Sequence, residues 1–173
     1  MKPGGGKQKG AAFERDVCKK LSKWISYGER EDLFWRSAMS GGRATLGLAA
    51  GKKHSSQAGD ISSVHYMGNA FINRFVIECK HVANLQIPTF LFDRKGNLNK
   101  FWLKLRQESD DHGKFSVLIA KQNRLPILWI HETDIPRVPL LFLVDDDEYS
   151  MRFYKFIDVL DKAVPDDLLW DVE

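Results

Sequence analysis

The run Val76-Ile77-Glu78-Cys79-Lys80 sets two opposite charges into an apolar, β-branched stretch. In a strand, alternate side chains share a face, so Glu78 and Lys80 point one way and Ile77 and Cys79 the other. The Ile77 face is apolar and suits packing against a helix. Asp60 to Tyr66 and Asn73 to Lys80 read as two strands, with turn residues Met67-Gly68-Asn69-Ala70 between them. If that turn centres on Asn69, the two strands form a hairpin and Asp60 stands directly opposite Glu78. Side chains so placed have Cβ atoms about 4.5–5.5 Å apart, and like charges there repel.

A divalent cation between the carboxylates removes that penalty. Mg²⁺ suits the arrangement because it takes few carboxylates and keeps several waters, and Mn²⁺ is expected to substitute. Lys80 then stands beside the metal, able to orient or deprotonate a water and to stabilise charge developing on a phosphate. A metal, a water and a nearby cation are what phosphodiester hydrolysis needs. The competing reading is a solvated hairpin with a surface Glu–Lys pair. The short Glu-x-Lys spacing alone is common; the aligned Asp60 and the apolar approach favour a site.

The flanking chain bears on the same reading. Ala12, Phe13, Val17, Leu21, Trp24 and Ile25 recur at helical spacing, and Gly28 ends the pattern. Glu14 lies early in this helix, where it is either a carboxylate near a positive helix end or a second group reaching the metal through water. Leu33 to Arg36 is a short strand candidate. Ser37 to Gln57 has little periodicity and reads as a long loop; loops of that length are often functional. It carries Arg43, Lys52, Lys53 and His54, basic groups that either grip a phosphate backbone or are merely solvated. Further strands are expected at Phe115–Ala120, Pro126–His131 and Leu140–Val144, and a helix at Asn99–Asp111. Residues 81–98 read as irregular, and Ser150–Val164 as mixed, with a helix ending before Pro165.

Charge is graded along the chain. Residues 1–60 hold 12 Lys/Arg against 6 Asp/Glu, residues 61–144 hold 11 against 7, and residues 145–173 hold 3 against 10. A basic front fits a polyanionic partner, and on charge alone it fits a solvated surface equally well. The two cysteines, Cys18 and Cys79, make neither a disulfide framework nor a four-ligand zinc site and read as buried thiols. No apolar run approaches a membrane span, and the N-terminus lacks a signal-like apolar core, so an intracellular protein is expected. A flexible basic arm (1–10), one domain (11–144) and an acidic segment packed on or extending it (145–173) complete the division.

Taken in order, a helix Glu, a Gly-Asp and a strand Glu-x-Lys resemble the PD-(D/E)xK nuclease superfamily. Lys9-Gly10, Glu14-Arg15, Arg36, Ser40-Gly41, Asp60-Ile61 and Glu78-x-Lys80 are most similar to archaeal-type Holliday junction resolvases and related phage endonucleases. The resemblance covers roughly residues 9–82. It implies an α/β restriction-endonuclease-like fold, a mixed central β-sheet flanked by helices, in a single domain. It implies Mg²⁺ held by Asp60, Glu78 and the Cys79 carbonyl, with Glu14 nearby, and Lys80 in catalysis. It implies substrate contacts from Arg36 and Ser40, a homodimer, branched DNA as substrate, and a prokaryotic or phage-infected cytoplasm as the setting. Gly59 replaces the superfamily's Pro, a common variation. The loop after Ser40 is long, and the acidic end matches nothing in those enzymes. Another nuclease of this fold, restriction-type or DNA-degrading, is the alternative, and a catalytically silent DNA-binding module is a third reading.

Other residues carry weaker signals. Gln107, near Lys104 and Arg106, sits on a helix that follows the core strands and reads mainly as solvated. Lys121-Gln122-Asn123-Arg124 is either a DNA contact or a polar turn. Trp24, Trp102 and Trp129 read as core. The histidines, His65 and His81 included, show no metal-ligand spacing. Asp145-Asp146-Asp147-Glu148 reads as a solvated loop rather than a second metal site.

Overall fold

Two apolar layers sandwich one sheet, and the alternation of the strands decides which residue enters which layer. The structure, a computed structural model, describes residues 5–37, 58–146 and 148–169. The elements run α1 (Gly5–Ile25), β1 (Phe34–Arg36), β2 (Ile61–Ser63), a 3-10 turn (Tyr66–Gly68), α2 (Asn69–Arg74), β3 (Phe75–Val82), α3 (Ile87–Asp93) and α4 (Asn97–His112). They continue with β4 (Phe115–Gln122), β5 (Leu128–His131), β6 (Phe142–Asp145), β7 (Ser150–Lys155), α5 (Phe156–Lys162) and α6 (Pro165–Leu169). The main sheet has the order β3-β4-β5-β7-β6, and β1 pairs with β2 in a separate ribbon. β3 and β4 are parallel and the remaining pairs antiparallel, so the sheet is mixed.

On one face Ile77, Cys79, Val117, Ile119 and Trp129 pack with Phe13, Val17, Leu21 and Trp24 of α1 and with Phe156 and Val159 of α5. On the other, Val76, Leu118, Ala120, Ile130 and Phe153 pack with Phe90 of α3 and Leu98, Trp102 and Leu105 of α4. The single-domain α/β class read from the resemblance is the observed architecture, with helices on both faces of a mixed sheet. Ile77 and Cys79 do face a helix, α1, as their alternation required. No helix of the described residues is long and apolar enough to cross a membrane.

Several elements differ from the sequence expectations. The hairpin is absent: β2 pairs with β1, and β3 pairs with β4. Residues expected to continue a strand from Asn73 instead close α2, whose Phe71 and Ile72 are buried against the α1 layer. A hairpin would turn one of these two neighbouring apolar side chains to solvent, whereas a helical turn buries both. α1 begins at Gly5 rather than near Ala11. Once a helix is nucleated, each further residue costs little, and Lys9 gains a hydrogen bond to Asn123 Oδ1 at 2.9 Å. Residues 81–98 contain α3, which opens on Ile87-Pro88, where a proline's missing N–H is harmless. Ser150–Lys155 is a strand inside the sheet, between β5 and β6, so the acidic C-terminal segment completes the sheet.

Buried Ser22 places β1. Its hydroxyl donates to Cys18 O at 2.7 Å and accepts the N–H groups of Leu33 and Phe34 at 3.0 and 3.2 Å. The chain leaving α1 is thereby clamped to the helix, and Arg36 arrives beside Glu14.

Candidate active site

Asp60 is fastened to the free edge of β3 by its own main chain and side chain. Its N–H donates to Ile77 O at 2.8 Å, its Oδ2 accepts the Cys79 N–H at 2.9 Å, and its carbonyl accepts from Ser37 N–H at 2.8 Å. These bonds, rather than cross-strand pairing, bring Asp60 to Glu78. Gly59 allows the approach. Its φ is +78°, and a Cβ built there would lie 2.6 Å from Ile77 O and 3.0 Å from Ile77 N. Its N–H donates to Glu108 Oε1 on α4 at 2.9 Å. A proline offers neither that φ nor that N–H, so in this chain the glycine is a requirement rather than a neutral exchange.

Glu78 and Lys80 share the α4 face of β3. Lys80 Nζ is ion-paired with Glu78 Oε1 and lies 3.7 Å from Asp60 Oδ2. With an ordinary ion-pair length on the first side, the two carboxylate oxygens are at most about 7 Å apart. Lys80 Nζ also sits 5.7 Å from the centroid of the Phe101 ring. Asp60 and Glu78 are buried, at 8% and 6% exposure. Burial, and then the Asp60 charge, push the Glu78 carboxyl up to about 7 against the opposing fields of Lys80 and Lys104. Burial pulls Lys80 down, yet the charges of Glu78 and Asp60 outweigh it and hold the ammonium above its ordinary range. Two buried acids share one lysine, which leaves negative charge uncompensated.

On the opposite, α1 face, Glu14 is ion-paired with Arg36 Nε. The Cys79 thiol is pushed well up by burial and then by Asp60, Cys18, Glu78 and Glu14, so the fields of all three carboxylates meet on it. The Cys18 thiol, raised by burial and by Glu14, stands at about 12. Both cysteines are buried free thiols.

The donor set suits a hard divalent cation. Among the described residues no three His, Cys, Asp or Glu side chains gather around one point. A metal held here draws on the Asp60 and Glu78 carboxylates and the main chain between them. The N–H and C=O of one residue leave a strand on the same side, so the Cys79 carbonyl faces the edge on which its N–H meets Asp60. Oxygen donors without thiolate or imidazole suit a hard divalent ion rather than a soft metal.

Asp60, Glu78, Lys80 and the Cys79 main chain are thus together, with Glu14 and Arg36 joined on the far side of Cys79. Ser40, Arg43, Lys52, Lys53 and His54 lie outside the described residues. Gln107 is exposed and bonds Asp111 at 3.1 Å, away from the centre. Sequence reasoning passed over Phe101, Lys104 and Glu108, which face the centre from α4; their spacing of three and four along one helix face was the available signal. Asp146 of the acidic run bonds Arg94 at 2.8 Å and accepts the N–H groups of Glu148 and Tyr149, a turn-building role.

The position of Glu78 has a measurable consequence. A folded pKa of about 7, above the carboxyl's ordinary 4.5, contributes stability below pH 4.5 that is lost as pH rises through 7. With metal chelated, Glu78→Gln is expected to be more stable than the unsubstituted protein at pH 8, by on the order of 3 kcal/mol. The gap is expected to close towards pH 4.5, and thermal melts in EDTA at a series of pH values read it. A gap that does not vary with pH would contradict the burial of a charged Glu78.

Comparison with known proteins adds one match. The family described as "phage putative PDDEXK endonuclease" matches residues 5–140. No curated protein and no solved structure matches.

Proposed function

The chain belongs to this phage PDDEXK endonuclease family, and from that premise we propose that it hydrolyses DNA phosphodiesters at Asp60, Glu78 and Lys80, with branched DNA, a four-way junction above all, as substrate. Nucleases of this class use divalent metals, and here the ion is Mg²⁺, with Mn²⁺ able to replace it. Asp60, Glu78 and the Cys79 carbonyl hold it. When bound, such an ion polarises a phosphoryl oxygen and lowers the pKa of a water. The observation that carries the reading is the convergence of two buried carboxylates and one lysine on the edge of β3.

The residues divide the work. Asp60 is oriented by the Cys79 N–H, so its remaining lone pairs stay aimed at the centre. Lys80, held as an ammonium by both acids, supplies fixed positive charge where the attacked phosphate gains negative charge. Phe101 shields one side of that ammonium from water. Glu14, tied to Arg36, supports the site from the α1 side, through a water where it contributes to the metal. Arg36, Ser40, Arg43, Lys52 and Lys53 are assigned to the DNA backbone near the scissile phosphate.

Junction selectivity rests on the Lys9-Gly10, Glu14-Arg15, Arg36 and Ser40-Gly41 likeness. It implies a homodimer that nicks two strands symmetrically in the cytoplasm of a prokaryotic or phage-infected cell. The test incubates the protein with a synthetic four-way junction and with linear duplex of the same sequence, in Mg²⁺, Mn²⁺ or EDTA. Paired symmetric nicks on the junction alone, lost in EDTA, are the expected result. Equal cutting of linear duplex would instead identify a restriction-type or DNA-degrading enzyme. Binding without cutting in either metal would identify a silent DNA-binding module.

A further inference from the structure

The carboxyl ends of the parallel strands β3 and β4 gather cations that the catalytic centre does not use. His81 follows Lys80 directly and pairs in register with Lys121 on β4. Alternation puts both on the α1 face, since Ile77, Cys79, Val117 and Ile119 of the same series pack there. The His81 ring lies 5.4 Å from that of Phe13. Lys9, one helical turn before Phe13, donates from Nζ to Asn123 Oδ1 at 2.9 Å. Arg124 follows Asn123 in the turn after β4, with a φ of +66°. Gln122 points the other way, its Oε1 accepting the Leu85 N–H at 2.8 Å, so the turn is held in place from the α4 side.

Lys9 and Lys121 thus bring their charges to His81, and Arg124 lies in the turn that follows at the same end of the sheet. Lys9, Lys121 and Arg124 form no ion pair with any described carboxylate. That contrasts with the C-terminal part of α1, where Lys19, Lys20 and Lys23 are each paired with an acid. Asn123 Oδ1 accepts from Lys9, and the same side chain also hydrogen-bonds His81. Gathering unneutralised cations costs free energy through mutual repulsion, and a polyanion relieves it.

We infer that Lys9, His81, Lys121, Asn123 and Arg124 form a binding site for the phosphates of the DNA strand that enters the catalytic centre. This rests on the nuclease reading above and adds where the flanking backbone runs: over the ends of β3 and β4 towards the N-terminal turns of α1. The donors are side-chain cations and amides, groups that bond phosphate oxygens, so the site reads charge and spacing rather than sequence.

Salt-dependent binding tests the assignment. The affinity of a fluorescent four-way junction for the full-length protein is measured by anisotropy in EDTA, which prevents cutting, from low to moderate salt. Replacing Lys9, Lys121 and Arg124 together by alanine is expected to weaken binding by ten- to a hundredfold near physiological salt. The slope of log affinity against log salt is expected to fall by about 2 to 3, since each phosphate contact contributes about 0.9. The same triple replacement at Lys19, Lys20 and Lys23 is expected to change the slope by less than one contact. An unchanged slope in the first variant, with the unsubstituted protein binding normally, would overturn the site and leave the nuclease reading standing. Failure of the unsubstituted protein to bind DNA at any salt would overturn both.

Discussion

Asp60→Asn is expected to lower the rate of DNA cleavage by a factor of about 10³ or more, equivalent to about 4 kcal/mol of transition-state stabilisation, while leaving the melting temperature within a few degrees. The choice of asparagine matters. Asp60 Oδ2 accepts the buried Cys79 N–H at 2.9 Å. Alanine would leave that N–H unpaired at about 1–3 kcal/mol, and a loss of activity would then be confounded with a loss of fold. The asparagine carbonyl oxygen keeps the bond but removes the charge on which both metal and Lys80 depend. Lys80→Met complements it: an unbranched apolar side chain is kept and the ammonium near the Phe101 ring is removed. That variant is also expected to be inactive, and in EDTA to be less stable at pH 8 than at pH 6, because Asp60 and Glu78 then face each other without a cation. Single-turnover cleavage of a labelled substrate and thermal melts with and without Mg²⁺ measure both effects. Full activity in either variant would show that the chemistry lies elsewhere.

Gly59→Ala is expected to destabilise the protein by about 2–4 kcal/mol and to remove most activity. A φ of +78° costs an L-residue about 1–2 kcal/mol. The added methyl would meet the Ile77 carbonyl at 2.6 Å, against main chain that cannot rotate aside. Relief requires the Asp60 segment to lift from the edge of β3, which stretches the two bonds that place the carboxylate. Gly59→Pro is expected to be worse, since it also deletes the N–H donated to Glu108. Urea denaturation reports the stability, and cleavage rates measured well below the transition report the site. Wild-type stability and activity in Gly59→Ala would mean that this approach is not as close as described.

The charged pair in an apolar strand was legible because alternation in a strand is a local rule. Ile77 and Cys79 face α1, and Glu78 and Lys80 face away, with no information needed beyond the strand itself. The partner of that strand was not legible. A turn at Asn69 and a helical turn over Asn69–Arg74 are both compatible with the local residues. Burial of Phe71 and Ile72 together, against a layer built from residues far off in the chain, decides for the helix. The hairpin is therefore not the route by which Asp60 comes near Glu78; its bonds to Ile77 and Cys79 are. Glu108, Lys104 and Phe101 were hidden for the same reason: which face of α4 meets the strand depends on how the helix docks.

By itself the sequence determined the apolar face of β3 and the shared face of Glu78 and Lys80, since both follow from alternation along one segment, while the α/β class followed from the resemblance that the ordered motifs carry. Only the tertiary structure decided that β2 joins β1, that Asp60 reaches β3 through its own hydrogen bonds, and that Lys9 arrives beside His81 and Lys121. Those contacts join segments far apart in the chain. Their free energy comes from burying two layers against one sheet, and no local propensity encodes which surfaces will meet.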